Sequence, residues 1–562
     1  MPDGSQLPLS APVLPDAGDA LDRCEQAFSA RRNFTATWER QRKLFLPDTA
    51  PFMSTNSTQG QRDRETTVDT YPQYAARVHA TFLFGSIVNG DGDWFKCVAH
   101  GHDGAKDPDV LAWAEEYRRA GAEILMDPSV GFIEQYFAML QERTVYGNGS
   151  LYGGDRPGAL PIVRCNPMRD TAWEAGGGHE PDDFWWKQSL SAAEWAKKFP
   201  GRMLGDELTS ALETPAGRSR PFTFVHATME NPDWKPALID QQPRHRRYLS
   251  LWLNEADRCL VNGAWIGSNA YTAFRCTRRA AENYGRGGAD EAMEEAQMAQ
   301  RVRVAVIRGV EKATDPLMLL PDDGVMTPPT NEPEGAIVVR ADLMGRQGDP
   351  IRYLKHDGRP DIGQQFLRDG CYAAIDRAFS RDLMTLPREP RMLDSQIIGL
   401  QEEQSRGVVP IIAPLFAPTA RFIGRIFDIA QRQNRLPRPP RAAEGLQLSI
   451  QFRNPLERAS RLAEVRAFMQ ALSILLQAVQ VDPGARHALK VVDGVQYCAR
   501  ILGVPDKLIA SAKELKALLD ADAKMAQQKQ GMEATLDGTT AAKNLGAAAR
   551  GFVQPEQLAE AA

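Results

Sequence analysis

Residues 282–325 read ENYGRGGADEAMEEAQMAQRVRVAVIRGVEKATDPLMLLPDDGV, and this stretch decides what kind of fold the chain can adopt. Helical signal begins at Ala289 and runs to Thr314, a length of about 38 Å at 1.5 Å per residue. The Asp315-Pro316 pair stops it, because the residue before a proline is pushed out of the helical region. Residues 317–355 then form a small Pro/Gly-bounded module with one strand at 336–340 and another at 351–354, too short for a core of its own. A second helix follows over 361–379. Helix, small module and helix return the chain close to where it left the body, which places the module at the tip of a two-helix stalk. A lone subunit stabilises such a tip poorly, and neighbouring copies in an oligomer would bury what it exposes.

Upstream, residues 150–279 alternate turn residues with short apolar runs at 222–226, 248–254 and 264–273, the pattern of a mostly antiparallel sheet. Asn262-Gly263 reads as a tight turn between two strands. Four helices precede it. Residues 19–46 carry a face of Ala20, Cys24, Phe28 and Phe34, residues 71–88 form a second helix, and 108–125 a third, with Asp107 placed to cap it and Pro108 at its first position. The fourth covers 132–146, after which Gly147, Gly149, Gly153 and Gly154 break the pattern. Downstream, 380–391 is a short segment containing Pro387 and Pro390. Residues 392–434 read as a long helix kinked around Pro410, Pro414 and Pro418, and RLPRPPR at 435–441 as a stiff connector. Residues 456–479 give the cleanest amphipathic helix, with Leu462, Val465, Met469, Leu472, Leu476 and Val479 at steps of three and four. Two shorter helices follow. From about residue 523 large apolar residues become scarce and disorder is expected. The fold class is α+β, predominantly helical, without tandem repeats.

The 562 residues are 43% hydrophobic and 25% charged, enough for more than one substructure, and the net charge is only -5. Such a balance lacks the basic surplus of a protein that grips nucleic acid by neutralising phosphates. Seven cysteines are scattered at Cys24, Cys97, Cys165, Cys259, Cys276, Cys371 and Cys498 with no C-x-x-C pair, which suggests neither a disulfide framework nor a thiolate zinc site. The acidic, proline-bearing start does not read as a signal peptide, and no stretch approaches the ~20 apolar residues of a membrane span, so no membrane partner is expected.

Enzyme chemistry finds no support. There is no G-x-x-x-x-G-K-[ST] to wrap an NTP and no H-E-x-x-H. His100 and His102 sit in a glycine-rich turn that reads as a surface loop. Asn89, Asp91 and Asp93 begin like a calcium loop, but Trp94, Phe95 and Lys96 occupy the later ligand positions. No catalytic residue, metal or cofactor is predicted. Tyr284-Gly285-Arg286-Gly287-Gly288 reads as a flexible hinge into the stalk rather than a phosphate cradle. Asp290, Glu291, Glu294 and Glu295 suit a solvated helix start favoured by the helix dipole. Arg381, Arg388 and Arg391 are the best candidates for phosphate contact, with ordinary pairing to Asp382, Glu389 and Asp394 an equal alternative. Arg435, Arg438 and Arg441 more simply solvate a connector.

Several strings occur in a telling order: TTVDTYPQYAARVHATFLFGSIVNGDGDWFKC at 66–97, with Asp69 and Thr70 before a helix and Trp94-Phe95 closing a loop; VYGNGSLYGG at 145–154; ENYGRGGADEAMEEAQMAQ at 282–300; KATDPLMLLPDDGV at 312–325; and IRYL at 351–354. In this order they resemble the head-to-tail connector (portal) family of podoviruses. One departure is Met392-Leu393-Asp394-Ser395-Gln396, where relatives carry a Met-Thr-Ala-x-Glu-like string. The resemblance implies a phage portal fold with wing, stem, clip and crown, assembling as a dodecameric ring at one capsid vertex of the virion after synthesis in the host cytoplasm. It implies N-terminal helices and wing sheet over 1–283, a first stem helix over 284–316, a clip over 317–358, a second stem helix over 359–379, a tunnel loop and kinked wing helix over 380–440, a helical crown over 441–522, and a disordered tail over 523–562. Its channel would pass double-stranded DNA, without sequence specificity, during genome packaging and ejection. Arg381, Arg388 and Arg391 would contact DNA from the tunnel loop, and Asp290, Glu294, Arg301 and Arg368 would line the stem. Implied partners are further copies of the chain, terminase, tail adaptor proteins, and the scaffold and major capsid proteins. The rival readings are another virion component, such as a tail adaptor or capsid protein, and a DNA-processing enzyme.

Overall fold

The structure, a computed structural model, describes residues 16–53, 67–88, 94–100, 107–156, 158–175, 180–232, 234, 245–279, 282–314, 318–319, 352–353, 360–383, 394–443, 447–452, 465, 467–477 and 490–501. The chain divides into two units, Met1–Asn454 and Pro455–Ala562. The first begins with α1 (Ala17–Ala30) and α2 (Arg32–Phe45) in place of the single helix expected over 19–46. The break falls at Arg31, whose buried guanidinium donates to the main-chain carbonyls of Met168, Arg169 and Thr171. A guanidinium has donors only, so burying it requires oxygens around it, and meeting that need turns the chain out of one continuous helix. Next come α3 (Tyr71–Ile87), β1 (Phe95–His100), α4 (Pro108–Met126) and α5 (Phe132–Tyr146), the helices within a residue of their expected bounds. Asp107 caps α4 as anticipated, its carboxylate accepting the Asp109 N–H at 3.0 Å.

The sheet region follows as β2 (Asn148–Gly154), β3 (Ile162–Cys165), β4 (Thr171–Ala175), β5 (Pro181–Ser191), α6 (Ala192–Lys198), α7 (Asp206–Leu212), α8 (Pro215–Arg218), β6 (Pro221–Glu230), β7 (Tyr248–Asn254), β8 (Cys259–Ile266) and β9 (Tyr271–Arg275). Strands β4-β5-β6-β7-β8 make one antiparallel sheet and β3-β2-β9 another. In β6, Val225, Ala227 and Met229 face α1, whereas Phe222 and Phe224 join the opposite core with Trp195 and Trp252, the period of two that a sheet buried on both faces requires. Trp195 from α6 stacks on Phe224 at 4.0 Å and donates its indole N–H to the Phe222 carbonyl at 2.9 Å. Asn262-Gly263 is not a turn. It lies inside β8 opposite Trp252 and Leu251, and the turn is made earlier, where the Asn254 side chain accepts the Ala256 N–H at 3.0 Å. The run 264–273 is likewise split between β8 and β9, in different sheets.

The stalk is present. α9 (Gly288–Thr314) runs antiparallel to a second helical rod made of α10 (Pro360–Phe366), a π-helical turn (Leu367–Tyr372) and α11 (Ala373–Ala378). Gly309 and Gly363 meet Pro360 and Val306 at the far end, while Gly288 meets Phe379 at the near end. Ala299, Val306, Leu367 and Cys371 form the core between the rods. Leu367, Cys371, Ile375 and Phe379 are buried at every fourth residue. In a regular α-helix such a repeat drifts about 40° per step, and the wider π turn absorbs the drift. At the tip, β10 (Met318–Leu319) pairs with β11 (Arg352–Tyr353) in antiparallel register. The strand expected at 336–340 lies outside the described residues.

The helix expected over 392–434 is α12 (Asp394–Arg432), continuous through Pro410, Pro414 and Pro418. Its Gly407–Arg432 part, with a hydropathy of 1.4, is long and apolar enough to cross a membrane by length and composition, contrary to the expectation that no such stretch exists. Its Leu415, Phe422, Ile423, Ile426 and Phe427 are instead buried in one core with Tyr136 and Leu140 of α5. β12 (Gln447–Phe452) then pairs along all of β1, from Phe95 opposite Phe452 to His100 opposite Gln447. Residues 447–452, read from sequence as the start of the crown, therefore close the first unit. In the second unit, Ala467–Gln477 and Val491–Ile501 are helical. Val465 and Leu475 are buried, whereas Met469 is 57% and Leu476 63% exposed. The buried stripe is rotated from the expected one because Phe468 meets the neighbouring helix at Gly494. The tail from 523 lies outside the described residues.

Candidate functional site

The base of the stalk is where distant parts of the first unit converge. Its entry is not the flexible hinge read from the glycines. α5 ends at Gly147, whose φ of 72° is left-handed, and a Cβ there would collide with the backbone of Arg286 and Gly287. Only glycine meets both demands. Asn148, fully buried, donates from Nδ2 to the carbonyls of Tyr146 and Gly285, each at 2.8 Å, and accepts the Gly285 N–H on Oδ1 at 2.8 Å. Tyr284 packs its ring 4.8 Å from Trp173 and 5.4 Å from Trp38. Arg286 pairs with Glu282 at 2.9 Å. The glycines allow close backbone crossing, and the segment is pinned.

About three turns along α9, Gln300 reaches the start of α3. Its Oε1 accepts the N–H groups of Val68 and Asp69 at 2.9 and 2.8 Å, and its Nε2 donates to the Asp69 carbonyl at 2.6 Å. The Asp69 carboxylate accepts the Tyr71 N–H at 2.8 Å and the Tyr372 hydroxyl at 2.7 Å. Tyr71 and Tyr372 stack with centroids 3.9 Å apart and planes 16° from parallel. The Tyr71 hydroxyl donates to Asp376 at 2.7 Å and accepts from Arg381 at 2.7 Å, while Arg381 also binds Asp376 at 3.1 Å. Burial first, and then donation to these carboxylates, pushes both phenols above their ordinary range, so they stay protonated as donors. Nearby, burial takes the His79 imidazole down to about 4, and its neutral Nδ1 donates to the Phe379 carbonyl at 2.6 Å. A cavity of about 840 Å³ opens beside the network, lined by Phe45, Asp48, Tyr74, Arg77 and Arg303 among others.

Of the residues singled out in the sequence, Arg381 lies in this network, with Asp376 rather than Asp382 as its ion-pair partner. Arg388 and Arg391 lie outside the described residues. Asp290 is half-buried, accepting from Gln41 at 2.7 Å, and its burial raises its pKa. Glu294 and Arg301 are exposed on α9, and exposed Arg368 pairs with Asp369 at 2.9 Å. The structure thus brings Arg381 to the stalk base and leaves Glu294, Arg301 and Arg368 on the stalk surface. Sequence reasoning noticed Asp69 but missed its partners Tyr71, Gln300, Tyr372 and Asp376. Asp69 two residues before Tyr71 is a readable helix-entry signal, whereas contacts spanning some three hundred positions leave no local trace. Among the described residues no cluster of His, Cys, Asp or Glu could hold a metal ion. His100 lies in β1, and Asn89, Asp91, Asp93 and His102 fall outside the described residues.

A family model described as bacteriophage head to tail connecting protein matches residues 17–509, which takes in both stalk rods, the two larger sheets and α12. The chain belongs to this family. Among curated relatives of the connector, the portal protein of Salmonella phage epsilon15 is 23% identical over 240 residues, 42% of this chain and 43% of the relative. The alignment therefore spans less than half of that relative's length. Among solved structures, a chain from the virion of a native gene transfer agent particle aligns with a TM-score of 0.36 at 11% identity, over 74% of the connector and 91% of that chain. One from the neck of an empty gene transfer agent particle gives 0.35 at 12% identity, over 81% and 96%.

Proposed function

We propose that this connector is a portal: a non-enzymatic subunit of a dodecameric ring at one capsid vertex, through whose channel double-stranded DNA is packaged and later ejected. The observation that carries the reading is the two-rod stalk with its small tip, whose surface one chain leaves uncovered. Met298, Ile307, Val310, Ile362 and Phe366 are apolar and between 38% and 54% exposed along it. Such residues gain most by burial against identical stalks in a closed ring. On this reading α9 and the rod α10–α11 are the stem, residues 317–358 the clip, 380–391 the tunnel loop, and the second unit as far as residue 522 the crown.

DNA must slide through such a channel, which fits a net charge of -5: a wall dense in arginine would resist movement, and a few contacts repeated around a ring suffice to guide the duplex. Arg388 and Arg391 are proposed to touch phosphates, with Arg381 anchoring the segment that carries them, and Glu294, Arg301 and Arg368 to face the channel. Terminase is proposed to dock during packaging and tail adaptor proteins afterwards, with scaffold and major capsid proteins around the ring during assembly in the host cytoplasm. ATP hydrolysis would come from a separate motor. Negative-stain micrographs of the purified chain test the reading: rings with a central hole support it, while shells or isolated monomers overturn it.

A further inference from the structure

The polar network at the stalk base ties three elements together. Asp69 and Tyr71 open α3, Gln300 sits midway along α9, and Tyr372, Asp376 and Arg381 end the second rod. Tyr71 is the shared member. Its ring lies on Tyr372, its main-chain N–H is held by Asp69, and its hydroxyl bridges Asp376 and Arg381. The π turn over Leu367–Tyr372 ends on Tyr372, a member of the network. By absorbing the drift of the buried repeat, it keeps Cys371 and Ile375 buried while Tyr372 and Asp376 reach α3. Arg381 lies in the short helical turn Arg381–Leu383 that follows the second rod.

We propose that this network is a cooperative latch, with Tyr71 and Tyr372 as positioning residues, that registers the stem against the N-terminal helices. Through Arg381 it sets where the chain departs from the second stem rod. That the departing segment is a tunnel loop rests on the portal reading; the latch itself does not. Tyr71 and its stacked partner Tyr372 together bond Asp69, Asp376 and Arg381, and those residues in turn carry the bonds to Gln300 and the Arg381–Asp376 ion pair, so releasing the stacked pair loosens both sides of the network. The latch therefore has two states, closed and open, rather than a series of partial ones.

Tyr71→Phe and Tyr372→Phe each delete one hydroxyl and retain the stacked rings, and Lys312→Gln, exposed near the far end of α9, is the control. Hydrogen exchange is read by mass spectrometry on peptides covering 67–75, 367–383 and, as a reference, 221–230. Either latch variant is expected to speed exchange about tenfold in both of the first two peptides, with the reference and the control unchanged. The double variant is expected to add little to either single one, since the latch is already open. Exchange that changes only in the mutated element, changes equally in the reference, or adds fully in the double variant overturns the proposal. Oligomer mass is recorded on the same samples: a wild-type chain that forms no ring yet shows the coupled exchange would sink the portal reading and leave the latch standing.

Discussion

Replacing Asn148 with alanine removes the three hydrogen bonds that tie the end of α5 to the entry of the stalk, each 2.8 Å long. Gly285 loses the partner of both its N–H and its carbonyl, and Tyr146 that of its carbonyl, in a place where all three residues are buried. A buried polar group left unsatisfied costs about 1–3 kcal/mol, so the substitution is expected to destabilise this region by about 3 kcal/mol or more. At 1.4 kcal/mol per factor of ten, that is a rise of more than about a hundredfold in local opening. Hydrogen exchange over 282–290, with urea unfolding followed by tryptophan fluorescence, measures it. Asn148→Asp sharpens the test. Its carboxylate still accepts the Gly285 N–H but sets a second oxygen against two carbonyls, so the variant is expected to be weakest at neutral pH and to recover as the carboxyl is protonated and can donate. Wild-type exchange and midpoint in Asn148→Ala would refute the reasoning, and would return the glycine-rich segment to the flexible hinge that its sequence suggests.

Burial pushes the Glu142 carboxyl up to about 8 from 4.5, although it accepts the Met168 N–H at 3.0 Å. The folded chain keeps that proton while the unfolded chain releases it, so this group erodes stability as pH rises from about 4.5 to about 8. Glu142→Gln should raise the urea midpoint at pH 8 and have no such effect below about pH 4.5; an equal effect at both would contradict the assignment. Ile307→Glu and Phe366→Glu place charges on the exposed stalk surface, and should leave circular dichroism intact while lowering the mass of the assembly seen by light scattering. Arg388→Ala with Arg391→Ala should leave rings intact and impair DNA packaging or retention, and normal packaging would remove those residues from the DNA path.

What could be read in the sequence was what depends on neighbours along the chain. The cap Asp107 and the following Pro108 fix the start of α4, and the alternation of Phe222 and Phe224 with Val225 and Ala227 fixes both faces of β6. The stalk was visible because two long helical patterns flank a module too small to fold alone. What escaped depends on distant partners. Arg31 looks like any helical arginine until the carbonyls of Met168, Arg169 and Thr171 surround it. Asn262-Gly263 carries the signature of a turn, but the side chain of Asn254 makes the turn first. β12 has no partner nearer than β1. The latch unites Asp69, Tyr71 and Gln300 with Tyr372, Asp376 and Arg381, and only one of these, Arg381, stood out as a candidate site, for a different reason.

Native mass spectrometry of the purified chain, paired with negative-stain micrographs, tests the central claim most directly. The portal account predicts one dominant species at twelve times the 62.2 kDa chain, seen end-on as a ring with a central hole. A stable monomer or an open-ended ladder of sizes, with no ring in the micrographs, would contradict it.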